Sequence, residues 1–550
     1  MASTESFVVD CGYEQFAQRP ELQKHIASIA FQSLARKPFE SLIVDLSVER
    51  RELKAGMFLA VAIALSRRIR KIENRRIGIV LPSGIPSSLT NLAISLTGKI
   101  PVNLNFTSGR KAIESSIRKA GLTHIITVKP VQDKLPDFPW TDDTVDFIKL
   151  ARSIPKREIL GWYTAILTLP CHLLMRWLNV PRQGGDTEAA LLFSSGSTGE
   201  PKGVVLTHRN IIANCLQCHE TNLVRKNDVM LADLPTFHSF GFTVNVWYSF
   251  FEVFKTVCLP NPLETRRVAQ AIYDEKATLM IGTPTMFRPF FKKVEPRLLQ
   301  SLRFVVAGAE KTPEGFAQMW EKTFGSHFIN GYGLTEASPV VCCDVATGHS
   351  DISTPNRFPG TTGKLFPGMQ ARIVDDATGE VIEPTRCGVL QLRGQNLFRG
   401  YLGDVEATNR AFDGDWYVTG DLARFDEEGH LFIEGRISRF SKIGGEMVPH
   451  GTIEQAIAQA FHLEDSEMPL IAVTGARDST KGESLVLFTA IDIDLAKLRE
   501  CLVAQKIPNL WIPRRIRRVD SIPCLASGKL DLRTLANIAQ QSLDAEEEAI

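Results

Sequence analysis

The chain has no long hydrophobic run, no excess of charge of either sign and no cysteine framework. Among its 550 residues, 63 Lys and Arg nearly balance 62 Asp and Glu, a net charge of +1. That balance leaves no overall basic footprint for nucleic acid. The most apolar stretch, LGWYTAILTLPCHLLMRWLNV at 160–180, is interrupted by Pro170, His172 and Arg176. A membrane-spanning helix needs about 20 largely uninterrupted apolar residues. The ten cysteines are scattered, which suits a reducing cytoplasm. The opening MASTESFVVDCGYEQF has neither the basic start nor the apolar core of a signal peptide. Cys215-Leu216-Gln217-Cys218-His219 spells a c-type haem attachment motif. The apolar residues Ile211, Ile212, Cys215 and Leu216 around it recur at helical spacing, so we expect buried residues on a helix and no haem.

What is present is the make-up of a multidomain α/β protein, 44% hydrophobic and 23% charged. A chain this long exceeds the usual limit of one hydrophobic core. Residues 1–190 alternate helical stretches with short strand-like runs such as 77–81 and 125–128. The rhythm returns over 271–336 in LMIGT, RFVVAGAE and HFINGYGLTE, and it predicts parallel strands joined by helices. From 360 to 434 the runs shorten and Gly and Asp become frequent, which predicts a β-rich subdomain with turns at 375–379 and 426–429. Mixed α/β character then resumes, with helices near 451–461 and 494–505. These features divide the chain into domains 1–436 and 437–550.

Four short segments carry the chemistry. In LLFSSGSTGEPKGVV, an apolar run ends in Ser194, Ser195, Gly196, Ser197, Thr198 and Gly199, and Lys202 follows. Small residues let backbone N–H groups crowd an anion, and hydroxyls with one lysine complete a phosphate cradle. The spacing is not that of a Walker loop, and the same residues could form a plain hairpin. The others are Gly331-Tyr332-Gly333-Leu334-Thr335-Glu336, then Thr419-Gly420-Asp421 with Gly435-Arg436, then Ser527-Gly528-Lys529.

This order resembles the acyl-adenylate-forming superfamily over nearly the whole chain. The resemblance implies a large N-terminal domain of stacked α/β sheets with the β-rich subdomain, and a small mobile α+β C-terminal domain. It also implies an ATP- and Mg²⁺-dependent ligase. The loop from Ser194 to Lys202 would bind the β- and γ-phosphates. The Thr335 hydroxyl would contact phosphate, and Glu336 would be the oxygen ligand of Mg²⁺, with Thr335 beside it. Gly308, Ala309 and Glu310 would line the adenine. Asp421 would take the ribose hydroxyls, with Arg436 near the same sugar. Lys529 would be the catalytic lysine that bridges carboxylate and α-phosphate. Ser438 stands at the hinge position, where Asp or Lys is common, and Lys442 with Gly444, Gly445 and Glu446 would enter the site in the second half-reaction.

The segment LPTFHSFG resembles the landmark that gates the acyl site, with Phe237, His238 and Gly241, followed in sequence by Gly282 and Thr283. Amino-acid adenylators carry an Asp hereabouts, and this chain carries His238. Phe242, Val244, Val246, Trp247, Phe250 and Phe251 line a fatty-chain tunnel or are simply core. The runs LPTFHSFGFTV, RFVVAGAEK, GYGLTEASPVV and RFSKIGGEMV resemble the bacterial acyl-[acyl-carrier-protein] synthetases more closely, so acyl carrier protein is the expected acceptor and coenzyme A the alternative, followed by adenylation alone and, last, by a non-catalytic fatty-acid-binding relic. The acyltransferase signature His-x-x-x-x-Asp of the bifunctional members of that group is missing. An acidic carrier calls for a basic docking face, and Arg514, Arg515, Arg517 and Arg518 offer one. A second basic cluster spans Arg67 to Arg76. The segment 160–180, with its tryptophans and flanking basic residues, predicts a peripheral contact with the inner face of the membrane for a cytoplasmic enzyme.

Overall fold

The computed structural model describes residues 7–195, 200–344, 360–443, 446–463, 469–478, 482–524 and 530–547. Two parallel-centred sheets dominate its N-terminal part. The larger has nine strands. Its parallel centre runs His327–Gly333, Phe304–Ala307, Leu279–Gly282, Val229–Ala232, Lys255–Cys258 and Ser41–Asp45. The antiparallel strands Val340–Cys343 and Arg51–Lys54 flank that centre. The second sheet has seven strands and centres on Ile100–Asn103, Arg76–Ile79 and His124–Thr127. The predicted runs at 77–81 and 125–128 are therefore strands, displaced by a residue or two.

These strands are nearly all apolar because helices cover both faces of each sheet. The main core lies between the two sheets, around helices Ile26–Arg36, Ala55–Ile69, Ile85–Leu96 and His208–Glu220. A second cluster, rich in Phe and centred on the fully buried Trp320, covers the far face of the nine-stranded sheet. Helix His208–Glu220 shows how local sequence sets an element. Thr207 Oγ1 accepts the Asn210 N–H, and Asn210 Oδ1 accepts the Thr207 N–H, closing a capping box. Cys215 is buried on this helix and free, as expected of core.

The third sheet is antiparallel. It joins Met369–Val374, Gly388–Gly394, Trp416–Phe425 and Leu431–Arg436. Both predicted turns connect its strands. Its edge is strand Val9–Asp10, some 360 residues away in sequence, a pairing that no local pattern announces. After the turn Ile437–Arg439 come a two-stranded ribbon, Phe440–Ile443 with Glu446–Pro449, and a three-stranded sheet, Ile471–Asp478, Gly482–Thr489 and Arg515–Arg518. Helices His450–Ala460 and Leu495–Ala504 match the expected ones. The apolar clusters here draw only on residues from Ile443 onward. Among the described residues, no helix is long and apolar enough to cross a membrane.

Candidate active site

Three sheets meet at one cluster of charged and phenolic side chains. Strand His327–Gly333 contributes Tyr332, whose hydroxyl donates to Asp421 Oδ2 at 2.6 Å. Asp421 lies on strand Trp416–Phe425, where Gly420 adopts φ 72° and kinks the backbone. Opposite it in register stands Arg436, whose Nε lies 3.0 Å from Asp421 Oδ1. The Asp421 carboxylate is almost fully buried, and this burial raises its pKa despite the arginine and tyrosine that favour its charged form.

The second acid is Glu336, one turn beyond the same strand. Gly333 has to be glycine, because a Cβ there would lie 2.3 Å from the Pro339 carbonyl oxygen. The chain then tightens into the turn Thr335–Ala337, held by Phe398 N–H to Glu336 O at 2.7 Å and Asn396 Nδ2 to Ala337 O at 2.8 Å. Glu336 Oε1 accepts the Tyr401 hydroxyl at 3.0 Å. Lys202 Nζ sits 4.7 Å from the centre of the Tyr401 ring. Burial raises the pKa of Glu336, opposed by a backbone N–H, Tyr401, Arg436 and Lys202. Ser239 Oγ donates to Thr335 Oγ1 at 3.4 Å.

Tyr401 was not expected from the sequence. It occupies the two-residue strand Gly400–Tyr401 on the edge of the second sheet, too short to show any period. Phe398 holds it, with ring centres 4.9 Å apart, and also packs against Tyr417 at 5.4 Å. Lys202, by contrast, lies in strand Pro201–Thr207, paired with Ser194. Ser194 and Ser195 thus end one strand of an antiparallel pair, while Gly196, Ser197, Thr198 and Gly199 lie outside the described residues.

Ala309 takes φ 65°, a left-handed conformation uncommon for a residue with a Cβ and typical of functional turns. Its neighbour Gly308 lies close to the Gly331 backbone, since a Cβ on it would meet the Gly331 carbonyl oxygen at 3.5 Å. The Glu310 carboxylate turns away to accept the N–H and hydroxyl of Thr285. Thr283 Oγ1 accepts the Met286 N–H and caps the turn that follows Gly282. Phe237 is buried against Phe106, and His238 beside it is exposed. Gly241 opens the π-helix Gly241–Tyr248, where a Cβ would lie 2.4 Å from the Pro235 carbonyl oxygen. A π-helix is rare and collects at functional sites. Within it Phe242, Val246 and Trp247 belong to the main core.

Of the later motifs, Lys442 and Ser438 are described. Lys442 is exposed on the two-stranded ribbon, with its N–H donated to Glu483. Ser438 is exposed in the turn Ile437–Arg439. Lys529 lies outside the described residues. The arginine cluster at 514–518 does not form one patch. Strand Arg515–Arg518 sends alternate side chains to opposite faces, Arg518 pairs with Asp492, and Arg515 donates to Ser484.

A family model described as AMP-binding enzyme matches residues 58–402. The chain belongs to the AMP-binding enzyme family. The matched span holds Lys202, Tyr332, Glu336 and Tyr401, and ends before Asp421 and Arg436. The family member is 27% identical to a long-chain-fatty-acid–CoA ligase of Bacillus subtilis, over 94% of this chain and 95% of the relative. It is 31% identical to 4-coumarate–CoA ligase-like 9 of Arabidopsis thaliana, over 87% and 83% of the two chains. Its fold is that of the o-succinylbenzoate CoA synthetase of Bacillus subtilis in complex with an acyl-adenylate intermediate, with a TM-score of 0.75, 20% identity and coverage of 92% and 97%.

Proposed function

We propose that this acid–thiol ligase activates a medium- or long-chain fatty acid as acyl-AMP with ATP, then passes the acyl group to the phosphopantetheine thiol of acyl carrier protein. The observation that carries the adenylation reading is the pair of acids, Asp421 buried and Glu336 half-buried, each held by a tyrosine hydroxyl and each near a cation. Asp421 presents a fixed carboxylate for the two ribose hydroxyls, with Arg436 as its partner. Lys202 and Thr335 face the phosphates. The acid's carboxylate oxygen attacks the α-phosphorus and pyrophosphate leaves. The thiol sulfur then attacks the acyl carbonyl carbon, its proton goes to solvent, and AMP leaves.

Glu336 fits a magnesium ion that arrives with its nucleotide. Its carboxylate lies beside the Lys202 and Thr335 side chains, and the described residues hold no group of three or more acids, histidines or cysteines that could cage a metal. Mg²⁺ is ordinarily held by one or two carboxylates together with substrate phosphates. Bound there, it would neutralise polyphosphate charge.

The reading of the acid rests on the apolar π-helix behind Phe237 and on the missing Asp of amino-acid adenylators. The reading of the acceptor rests on the runs shared with acyl-[acyl-carrier-protein] synthetases. Free coenzyme A is the second reading, favoured by the CoA ligases among the curated relatives. We place the enzyme in the cytoplasm at the inner face of the membrane. For the second half-reaction we assign the motion to residues 437–550, turning about Ser438 to bring Lys442 inward. Purified protein with ATP, Mg²⁺ and radiolabelled palmitate, offered holo-acyl carrier protein or coenzyme A, decides between acceptors. Label on the carrier alone supports the first reading, label on coenzyme A the second, and no AMP formation refutes both.

A further inference from the structure

Five of the large apolar side chains most exposed to solvent fall within eighteen consecutive residues. They are Leu160, Leu167, Leu169, Leu173 and Trp177, between 41% and 65% exposed. The segment forms two helices, Lys156–Thr168 and Cys171–Trp177, broken at Leu169-Pro170. On the first, Leu160, Thr164 and Leu167 share the outer face at helical spacing, while Trp162 and Ile166 face the core. On the second, Leu173 and Trp177 point outward while Leu174 and Met175 are buried. The rings of Trp162 and Trp177 lie 5.2 Å apart and join the two helices into one surface.

Within the segment the exposed charge is of one sign. From 147 to 182 there are six basic residues, Lys149, Arg152, Lys156, Arg157, Arg176 and Arg182, all exposed. The one acid in that span, Glu158, is taken by Arg68 through two hydrogen bonds of 2.6 and 2.7 Å. Arg67 stands 5.6 Å from the Trp162 ring centre. A solvated helix would carry charges on its outer face, yet from Leu160 to Leu173 every exposed residue of this segment is uncharged.

We infer that these two helices seat the enzyme on an anionic lipid bilayer, with the leucines and Trp177 in the headgroup–acyl boundary and the basic rim against lipid phosphates. An apolar face ringed by Lys and Arg with tryptophan at its margin is the arrangement that binds in the plane of an interface. The segment cannot span, because its longest helix has 13 residues. A second copy of the chain is a poorer occupant, since two such rims would set like charges against each other. The use of the contact, to collect an apolar acid from the bilayer, rests on the fatty-acid reading above. The contact itself does not.

The test is co-sedimentation of the full-length protein with vesicles of phosphatidylcholine alone or with phosphatidylglycerol added. Wild type should pellet with the phosphatidylglycerol vesicles and weakly with the neutral ones. The triple variant Leu160→Ser, Leu167→Ser, Trp177→Ser should lose roughly a hundredfold in partitioning, three side chains each partly transferred from lipid. Arg157→Ala with Arg176→Ala should lose roughly tenfold or more on phosphatidylglycerol vesicles only. All these residues are exposed, so adenylation of a soluble short-chain acid should stay unchanged in every variant and reports the fold. Equal partitioning of wild type and triple variant would overturn the inference. So would a wild-type dimer in solution that the triple variant converts to monomer. Loss of vesicle binding without change in acceptor, or the reverse, separates this inference from the functional reading.

Discussion

Replacing Tyr401 with phenylalanine isolates one hydrogen bond at the centre of the site. Phe keeps the ring beneath Lys202, 4.7 Å from Nζ, and its packing on Phe398, and removes only the hydroxyl that Glu336 accepts at 3.0 Å. A hydrogen bond to a charged group contributes about 1.5–3 kcal/mol, and Glu336 is only half-buried, so that range is the most its loss should cost. If Glu336 serves the reaction as a carboxylate, kcat/KM for ATP should fall by roughly 10- to 150-fold. The pH profile gives the sharper reading. Burial already raises the Glu336 pKa, and Tyr401 is among the groups that oppose it. Without the hydroxyl the carboxyl holds its proton to higher pH, so the acidic limb of kcat/KM moves upward and the deficit shrinks toward alkaline pH. The assay is ATP–pyrophosphate exchange with a saturating acid from pH 5.5 to 9. Wild-type rates in the variant would refute the argument. A constant loss at every pH would show that Tyr401 acts through packing, not through the ionisation of Glu336.

Asp233, just beyond strand Val229–Ala232, has both oxygens buried, and burial pushes its pKa up to about 7 against the backbone N–H groups of Asp233 and Leu234. The native state therefore keeps a proton that the unfolded chain releases near pH 4, and stability falls by about 4 kcal/mol as pH rises from 4 to 7. Asp233→Asn should match wild type near pH 4.5 and melt several degrees higher at pH 8, by calorimetry at both. His25 and His208, rings 3.7 Å apart, behave oppositely, since burial lowers their pKa values to about 3 and about 2. Both stay neutral when folded, so their contribution is complete above about pH 6.5 and falls by about 1.4 kcal/mol per group per pH unit below it. His208→Gln should reduce the steepness of acid destabilisation in urea titrations by about one proton, and an unchanged slope would refute the assignment. Ser438→Pro should leave pyrophosphate exchange intact and stop thioester formation, and an equal loss of both would remove the hinge from Ser438.

Much of the site was legible because it sits at strand ends that glycine turns mark. Tyr332, Glu336 and Arg436 lie at or just beyond a strand end, Asp421 follows the Gly420 kink within its strand, and the register Asp421–Arg436 brings those two side chains within 3.0 Å. What escaped has physical reasons. Tyr401 lies in a two-residue strand, and its importance comes from the sheet edge that places it over Glu336. Asp233 follows an apolar run and a proline comes two residues later, so it reads as a polar turn residue, yet it is buried. Four arginines adjacent in sequence looked like one patch, and the pleat divides them. The aromatic stripe after Gly241 keeps helical spacing in the sequence, but the chain winds it more widely, as a π-helix.

The charges of the described cluster also bear on what the site still needs. Asp421 and Glu336 bring two negative charges, and Arg436 and Lys202 bring two positive ones. The cluster is balanced as it stands, and both of its acids have raised pKa values, the mark of a place that resists further negative charge. A nucleoside triphosphate adds several negative charges. Attack on its α-phosphorus by a carboxylate brings another to the same few ångströms. Four balanced side chains cannot absorb that. Under the proposed function the excess positive charge has to come with the nucleotide, as a divalent cation on Glu336, and from a further cation. Lys529 is the residue that the sequence offers for the second role. Loss of its charge should therefore depress adenylation far more than nucleotide affinity, because the unbalanced charge grows in the transition state and the ground state is largely neutralised by the metal. A Lys529→Gln variant that bound ATP tenfold more weakly yet exchanged pyrophosphate at the wild-type rate would contradict this charge argument at its root.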